Sequence, residues 1–303
     1  MVLIIGAGAV GTILASYLAA AGRPIKLYAR EADLAAFSAA DRICIDRVTG
    51  RPPLIAPKPV LTTSLDLEGI DYVLICVKFP DLDSVLDALP QPLPAKLTLV
   101  STLNGIGALR HIRERFPGQP AVSMSILFNG QLLEPLHARI TTRPQVLAPS
   151  DDPGLRQLFA GSGMKVIAAD GESAAWGKLL INLANAMGAV THTTFRDFLT
   201  QPDLRRIYAD LIAEAVHCLR SAGISFKLPL PIPYRAYDLL LRHGGQLLWL
   251  LVRSRNGLSD GAYPSMVADI EAGRPTEIEQ LNGEVVRLAR EHEVLITIEE
   301  GSR

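Results

Sequence analysis

Six residues near the start of the chain, Gly6-Ala7-Gly8-Ala9-Val10-Gly11, restrict the fold more than any other feature. They follow the apolar run VLII (2–5) and lead straight into GTILASYLAA (11–20), so a G-x-G-x-x-G pattern stands between a strand and a helix. Each glycine has its own reason in that context. Gly6 permits a tight turn, Gly8 lets the backbone approach a pyrophosphate, and Gly11 lets helix and strand pack closely, while the helix N-terminus offers unpaired N–H groups to the anion. Gly6, Ala7, Gly8, Ala9, Val10 and Gly11 are therefore candidate dinucleotide-binding residues, with a ligand-free glycine turn as the bland alternative. The uncharged run 2–22 also has the length of a membrane span. Nothing basic precedes it, however, three glycines interrupt it, and Thr12, Ser16 and Tyr17 would sit in hydrocarbon.

The end of the second strand decides which dinucleotide is bound. An acidic residue there accepts from the ribose 2′-hydroxyl, but IKLYA (25–29) ends in Arg30, which cannot accept and can pair a 2′-phosphate. A charge-assisted bond of ~1.5–3 kcal/mol would give roughly ten- to a hundredfold preference for NADP. Lys78, ending YVLICVK, adds a second positive charge on the same reading. If Glu31 rather than Arg30 faces the ribose, NAD becomes the cofactor; a merely solvated Arg30 is the other alternative.

From residue 2 to about 170, short β-branched runs (VLII, IKLYA, DYVLICV, TLVST, AVSMSIL) alternate with helical stretches, the rhythm of a parallel α/β sheet. The Pro-rich connectors RPPLIAPKP (51–59) and LPQPLPAK (89–96) read as loops. After Gly171 the strand signals stop, and helices are expected at 172–192, 203–222, 234–252, 265–272 and 277–293. The expected architecture is an α/β, Rossmann-type parallel sheet domain over 1–168 followed by an all-α domain over 169–303. A net charge of −1 leaves no basic excess for a nucleic acid partner. Cys44, Cys76 and Cys218 are far apart and in no C-x-x-C arrangement, so neither a disulfide framework nor a zinc site is read from them, and they suit a reducing cytoplasm. LLWLLV (247–252) is too short to span a membrane, and the apolar helix 239–252 could supply a homodimer interface.

Lys178, Asn182 and Asn185 lie at i, i+4 and i+7 of the otherwise apolar SAAWGKLLINLANAMGAV, which places them on one helix face. Burying an ammonium costs several kcal/mol unless it has a partner, so this stripe is either exposed or lines a polar site. In SMVADIEAGRPTEIEQLNG (265–283), Thr276 and Glu279 fit a capping box, which leaves Glu277 available to meet a lysine. Ser265 is either a helix cap or a site residue. Asn104, following TLVST, is expected at the carboxyl edge of the sheet, or in a plain Asn-Gly turn. The histidines are scattered singly with no metal-ligand spacing, so no metal is expected.

Together these pieces resemble the ketopantoate reductases (2-dehydropantoate 2-reductases) over most of the chain. The matching residues are GAGAVG (6–11), Arg30, CVK (76–78), NG (104–105), W-x-K-L-x-x-N (176–182) and S-M-x-x-D-I-x-A-G-R-x-T-E-I (265–278). The resemblance implies NADPH-dependent reduction of 2-dehydropantoate to (R)-pantoate in pantothenate biosynthesis. It makes Lys178 the general acid, with Glu277 contacting substrate and holding the lysine. It further implies that Asn182 and Ser265 bind the substrate's hydroxyl and carboxylate, Asn104 lies by the nicotinamide, and Arg30 and Lys78 take the 2′-phosphate; Asn104, and Asn185 from its helix spacing, are further substrate-binding candidates. A paralogous reductase of another keto acid and a non-catalytic NADPH-binding regulator are the alternatives. The chain departs from the family pattern at three places: Asn185 with Ala186 where the pattern has asparagine at 186, Leu103 before Asn104, and a C-terminus, EVLITIEEGSR, without the Pro-containing end.

Overall fold

The computed structural model describes residues 1–47, 51–256, 258 and 260–296. The end of the C-terminal departure, 297–303, lies outside them. The chain divides into two compact units, one of residues 1–103 and 108–171, the other of 104–107 and 172–303. In this division the chain passes to the second unit after Gly171, and a four-residue excursion at 104–107 belongs with the second unit.

Along the chain the first unit contains β1 (Val2–Ile5), α1 (Ala9–Ala20), β2 (Ile25–Tyr28), α2 (Glu31–Ser38), β3 (Arg42–Arg47), β4 (Leu54–Pro57), β5 (Val60–Thr62), β6 (Tyr72–Ile75), α3 (Leu82–Ala88) and β7 (Thr98–Ser101). It continues with α4 (Gly107–Arg115), β8 (Ala121–Ser123), β9 (Ser125–Ile126), β10 (Gly130–Glu134), β11 (His137–Ile140), β12 (Gln145–Pro149), α5 (Pro153–Leu158) and β13 (Lys165–Ala169). Six of the strands form a parallel sheet in the order β5-β2-β1-β6-β7-β8. The order reverses beside β1, the switch point at which doubly wound sheets bind ligands. Alternate residues feed two cores: Leu3, Ile5, Val73, Ile75 and Leu99 pack with α3 and α4, whereas Val2, Ile4, Leu74 and Val100 pack with α1.

Two smaller sheets were not expected: β10-β11-β3-β4 and β13-β12-β9. Ile43, Ile45, Ala138 and Ile140 turn into the same core as Ile13 and Leu14 of α1, so the second sheet covers the helix that opens at the glycine loop. RPPLIAPKP is therefore not all loop. Its centre is β4, antiparallel to β3 with Pro57 opposite Arg42. Proline is tolerated because β4 is an edge strand, whose outer side donates to no ladder. AVSMSIL also divides, β8 joining the large sheet and β9 the small one, with Met124 fully buried between them.

The second unit is helical: α6 (Gly171–Asn182), α7 (Ala184–Thr191), α8 (Phe195–Thr200), α9 (Pro202–Ser221), α10 (Tyr234–His243), α11 (Gly245–Asn256), α12 (Ser265–Glu271) and α13 (Ile278–Glu291). The helix expected over 172–192 is interrupted at Leu183, and that over 234–252 at Gly244-Gly245, where Gly245 has φ +43°. Trp176, Leu179, Leu180, Tyr208, Ile212 and Leu281 are among the residues of its core. No helix among the described residues is long and apolar enough to cross a membrane.

Candidate active site

The glycine loop has the geometry that its residue types suggest. Gly6 has φ +108°, and a Cβ there would lie 2.7 Å from the Cys76 carbonyl oxygen; one on Gly11 would run into the Gly6 carbonyl. A Cβ on Gly8 would meet nothing within 4 Å. The open space over Gly8, the N-cap of α1, adjoins a helix start with no side-chain cap and no acidic residue in its first turn. A pyrophosphate therefore fits this cradle, because unpaired N–H groups at a helix N-terminus need an acceptor.

Arg30 and Lys78 follow β2 and β6, the strands on either side of β1. Arg30 is exposed, and its Nε donates to Asp33 Oδ2 at 2.9 Å on the first turn of α2. Its i, i+3 spacing is the one signal by which that ion pair could have been read from the residues. Glu31 stands on the same turn, also exposed.

In the second unit, Lys178 Nζ donates to Asn104 Oδ1 at 2.6 Å, and Asn104 Nδ2 donates to Glu277 Oε2 at 2.9 Å. The amide thus lies between ammonium and carboxylate. Partial burial lowers the Lys178 pKa from 10.5 to about 8 by desolvation, and the Glu277 charge opposes the shift. Lysine and glutamate, expected to meet directly, are linked through an asparagine assigned on sequence to the sheet edge. The excursion at 104–107 brings it there. Gly105 has φ +83°, and any side chain on it would collide with the Gln280 carbonyl of α13, so the glycine permits the approach that seats Asn104.

The expected Thr276–Glu279 capping box does not form. Glu277 itself is the N-cap of α13, without a side-chain cap hydrogen bond. Its carboxylate is engaged by Asn104, and that of Glu279 runs forward over Gly283. Asn185 is buried on α7, and its Nδ2 donates to the Ser265 hydroxyl at 3.3 Å, at the first residue of α12. Asn182, the last residue of α6, is partly buried one turn after Lys178. The site residues thus fall into two groups, Lys178–Asn104–Glu277 and Asn185–Ser265.

A glycine cradle at the switch point of a parallel sheet and, in the second unit, a desolvated lysine bonded to an amide that a carboxylate holds are features suited to a dinucleotide-dependent oxidoreductase acting on CH–OH groups, the class of the family that matches. The family models "Ketopantoate reductase PanE/ApbA" and "Ketopantoate reductase PanE/ApbA C terminal" match residues 2–150 and 170–298, and the chain belongs to this ketopantoate reductase family. It is similar to the 2-dehydropantoate 2-reductase of Halobacterium salinarum, 22% identical over 98% of this chain and 94% of the relative. Its fold is shared with a PanE/ApbA family ketopantoate reductase from Ralstonia eutropha JMP134 (TM-score 0.80, 24% identity, 99% of this chain and 95% of that one). It is also shared with D-mandelate dehydrogenase, solved with NADH and anilino(oxo)acetate (TM-score 0.80, 17% identity, 99% and 96%).

Proposed function

We propose that the protein reduces a branched 2-keto acid with NADPH, and that the substrate is 2-dehydropantoate, converted to (R)-pantoate for pantothenate biosynthesis in the cytoplasm. The observation that carries this reading is Lys178, desolvated and bonded to Asn104 beside Glu277. The backbone of residues 6–11 holds the pyrophosphate, and Arg30 and Lys78 face the 2′-phosphate, for which Arg30 exchanges Asp33. The nicotinamide, when bound, supplies the hydride for C2 of the keto acid. Lys178 supplies the proton to the C2 oxygen. With a pKa of about 8 it is roughly nine-tenths protonated at pH 7, and poised to release that proton. One of its three N–H groups is held by Asn104, which orients the remaining two. Glu277 keeps the lysine charged and contacts the substrate, whose hydroxyl and carboxylate fall to Asn182, Asn185 and Ser265.

Two observations favour a second reading, an NADH-dependent reductase of a different 2-keto acid. Arg30 is already paired to Asp33, and Asn185 is turned to Ser265 while position 186 holds alanine. D-mandelate dehydrogenase, solved with NADH and anilino(oxo)acetate, shares this fold, which supports that alternative. The test is NADPH and NADH consumption by the purified protein with 2-dehydropantoate, 2-ketoisovalerate and the keto acid of mandelate. The first reading requires 2-dehydropantoate to be preferred, with NADPH. The exposed leucines Leu239, Leu247, Leu250 and Leu251 of α10 and α11 support a homodimer through the helical unit. Sedimentation checks this against a Leu250→Glu variant, which should be monomeric.

A further inference from the structure

The reductase reading leaves one side-chain cluster of the first unit unused. Cys44 and Asp46 are two residues apart on β3, and His137 is the register partner of Cys44 on the parallel neighbour β11. Strand alternation therefore puts all three on one face of the four-stranded sheet, opposite Ile43, Ile45 and Ala138, which are fully buried in the core. One ligand atom from each, thiol, carboxylate and imidazole, lies within 4.8 Å of both others, and all three side chains are half-buried. His137 Nε2 is 3.2 Å from Asp46 Oδ1. The other carboxylate oxygen, Oδ2, accepts from Arg139 Nη2 at 3.5 Å.

We propose that Cys44, Asp46 and His137 form a binding site for a borderline divalent cation of the zinc class. The donor set argues for that class. A thiolate disfavours magnesium and calcium, whereas one sulfur, one nitrogen and one oxygen ligand are all acceptable to zinc or cobalt, with water completing a tetrahedron. The scaffold argues for a built site, because three ligands arrive on two hydrogen-bonded strands whose inner faces are locked in the core. Arg139 plays the part of an outer partner, holding one carboxylate oxygen so that the other points at the histidine. On binding, the metal replaces the thiol proton of Cys44, which is released to solvent, while His137 ligates through one ring nitrogen and keeps its N–H on the other. The cation would then join strands whose ligands lie 91 residues apart in the chain. Single-residue spacing hides such a site, since neither strand carries a ligand motif alone.

Cobalt titration of the full-length, EDTA-treated protein tests this without reference to catalysis. The expected result is one equivalent of Co²⁺ bound with a thiolate-to-metal charge-transfer band in the near ultraviolet, displaced by Zn²⁺. Cys44→Ser should abolish the band, and Arg139→Ala should keep it while weakening binding about tenfold. No band up to millimolar Co²⁺, or a band that survives in Cys44→Ser, overturns the site. His137→Asn keeps every thiol and should weaken Co²⁺ at least tenfold. Unchanged affinity in that variant overturns the proposal whether or not Cys44→Ser folds.

Discussion

The residues that shape the dinucleotide turn, Gly6 to Gly11, are consecutive: Gly6 is confined by Cys76 just past β6, Gly11 by the Gly6 carbonyl, and Gly8 faces open space. The lysine site is put together differently: Asn104 is 74 residues from Lys178 and 173 from Glu277. A local turn needs only backbone chemistry, so its parts can be read from a short string. A buried ammonium needs partners from wherever the fold delivers them, because its desolvation must be offset by hydrogen bonds and charge. The two sites should therefore fail independently when broken.

The largest separation is expected from Lys178→Ala. Loss of the proton donor should lower kcat by ~10²–10⁴ while the dissociation constant for NADPH stays within about twofold. Fluorescence titration of the cofactor beside steady-state turnover checks both halves. An unchanged kcat would remove the lysine from the chemistry and favour a cofactor-binding regulator. The converse variant, Arg30→Ala, should weaken NADPH by roughly ten- to a hundredfold and leave NADH and kcat near their starting values. Equal weakening of both cofactors would mean that the Arg30–Asp33 pair only closes the first turn of α2.

Titration sharpens the comparison further. Lys178 has its pKa lowered to about 8, so the ammonium is present below that value and lost as pH rises through it. For keto-acid reduction, kcat should be level up to about pH 7 and fall above about pH 8. Glu277 opposes the lowering, so in Glu277→Gln the fall should move to lower pH. A pH–rate profile that keeps its midpoint in Glu277→Gln would show that the carboxylate holds substrate without acting on the lysine. Arg30→Ala should leave the midpoint where it is.

The sequence made the large sheet legible because its strands carry continuous β-branched runs, buried on both faces between flanking helices. It hid the smaller sheets. Strands such as Arg42–Arg47 are apolar only at alternate positions, and Leu54–Pro57 is framed by prolines that elsewhere mark loops. In the helical unit, periodicity located Lys178 on its helix, and Glu277 was singled out only through the Thr276–Glu279 capping box, which does not form. What no pattern could show was that Asn104, three residues past a strand of the first unit, is the group that joins them. That depends on Gly105 and on the carbonyl of Gln280, a contact between segments distant in the chain. Asn185 was grouped with Lys178 by spacing, yet it is paired with Ser265 across α12.

The smallest effect tests how far a local motif can be trusted in each setting. Thr194 and Asp197 form a capping box at the start of α8: Thr194 Oγ1 accepts from the Asp197 amide at 3.1 Å, and Asp197 Oδ2 accepts from the Thr194 amide at 3.4 Å. Thr276 and Glu279 have the same spelling, but the helix there begins at Ile278, and Glu277 is drawn to Asn104. Thr194→Ala should therefore cost about 1 kcal/mol, the usual value of a lost cap, and Thr276→Ala no more than about 0.5 kcal/mol, the range of an ordinary surface change. Denaturant midpoints at constant slope measure both. A full capping cost at Thr276 would place its hydroxyl on the first turn of α13 in solution. The Glu277 carboxylate would then have to give up its hydrogen bond to Asn104, and the lysine the charge that opposes its desolvation.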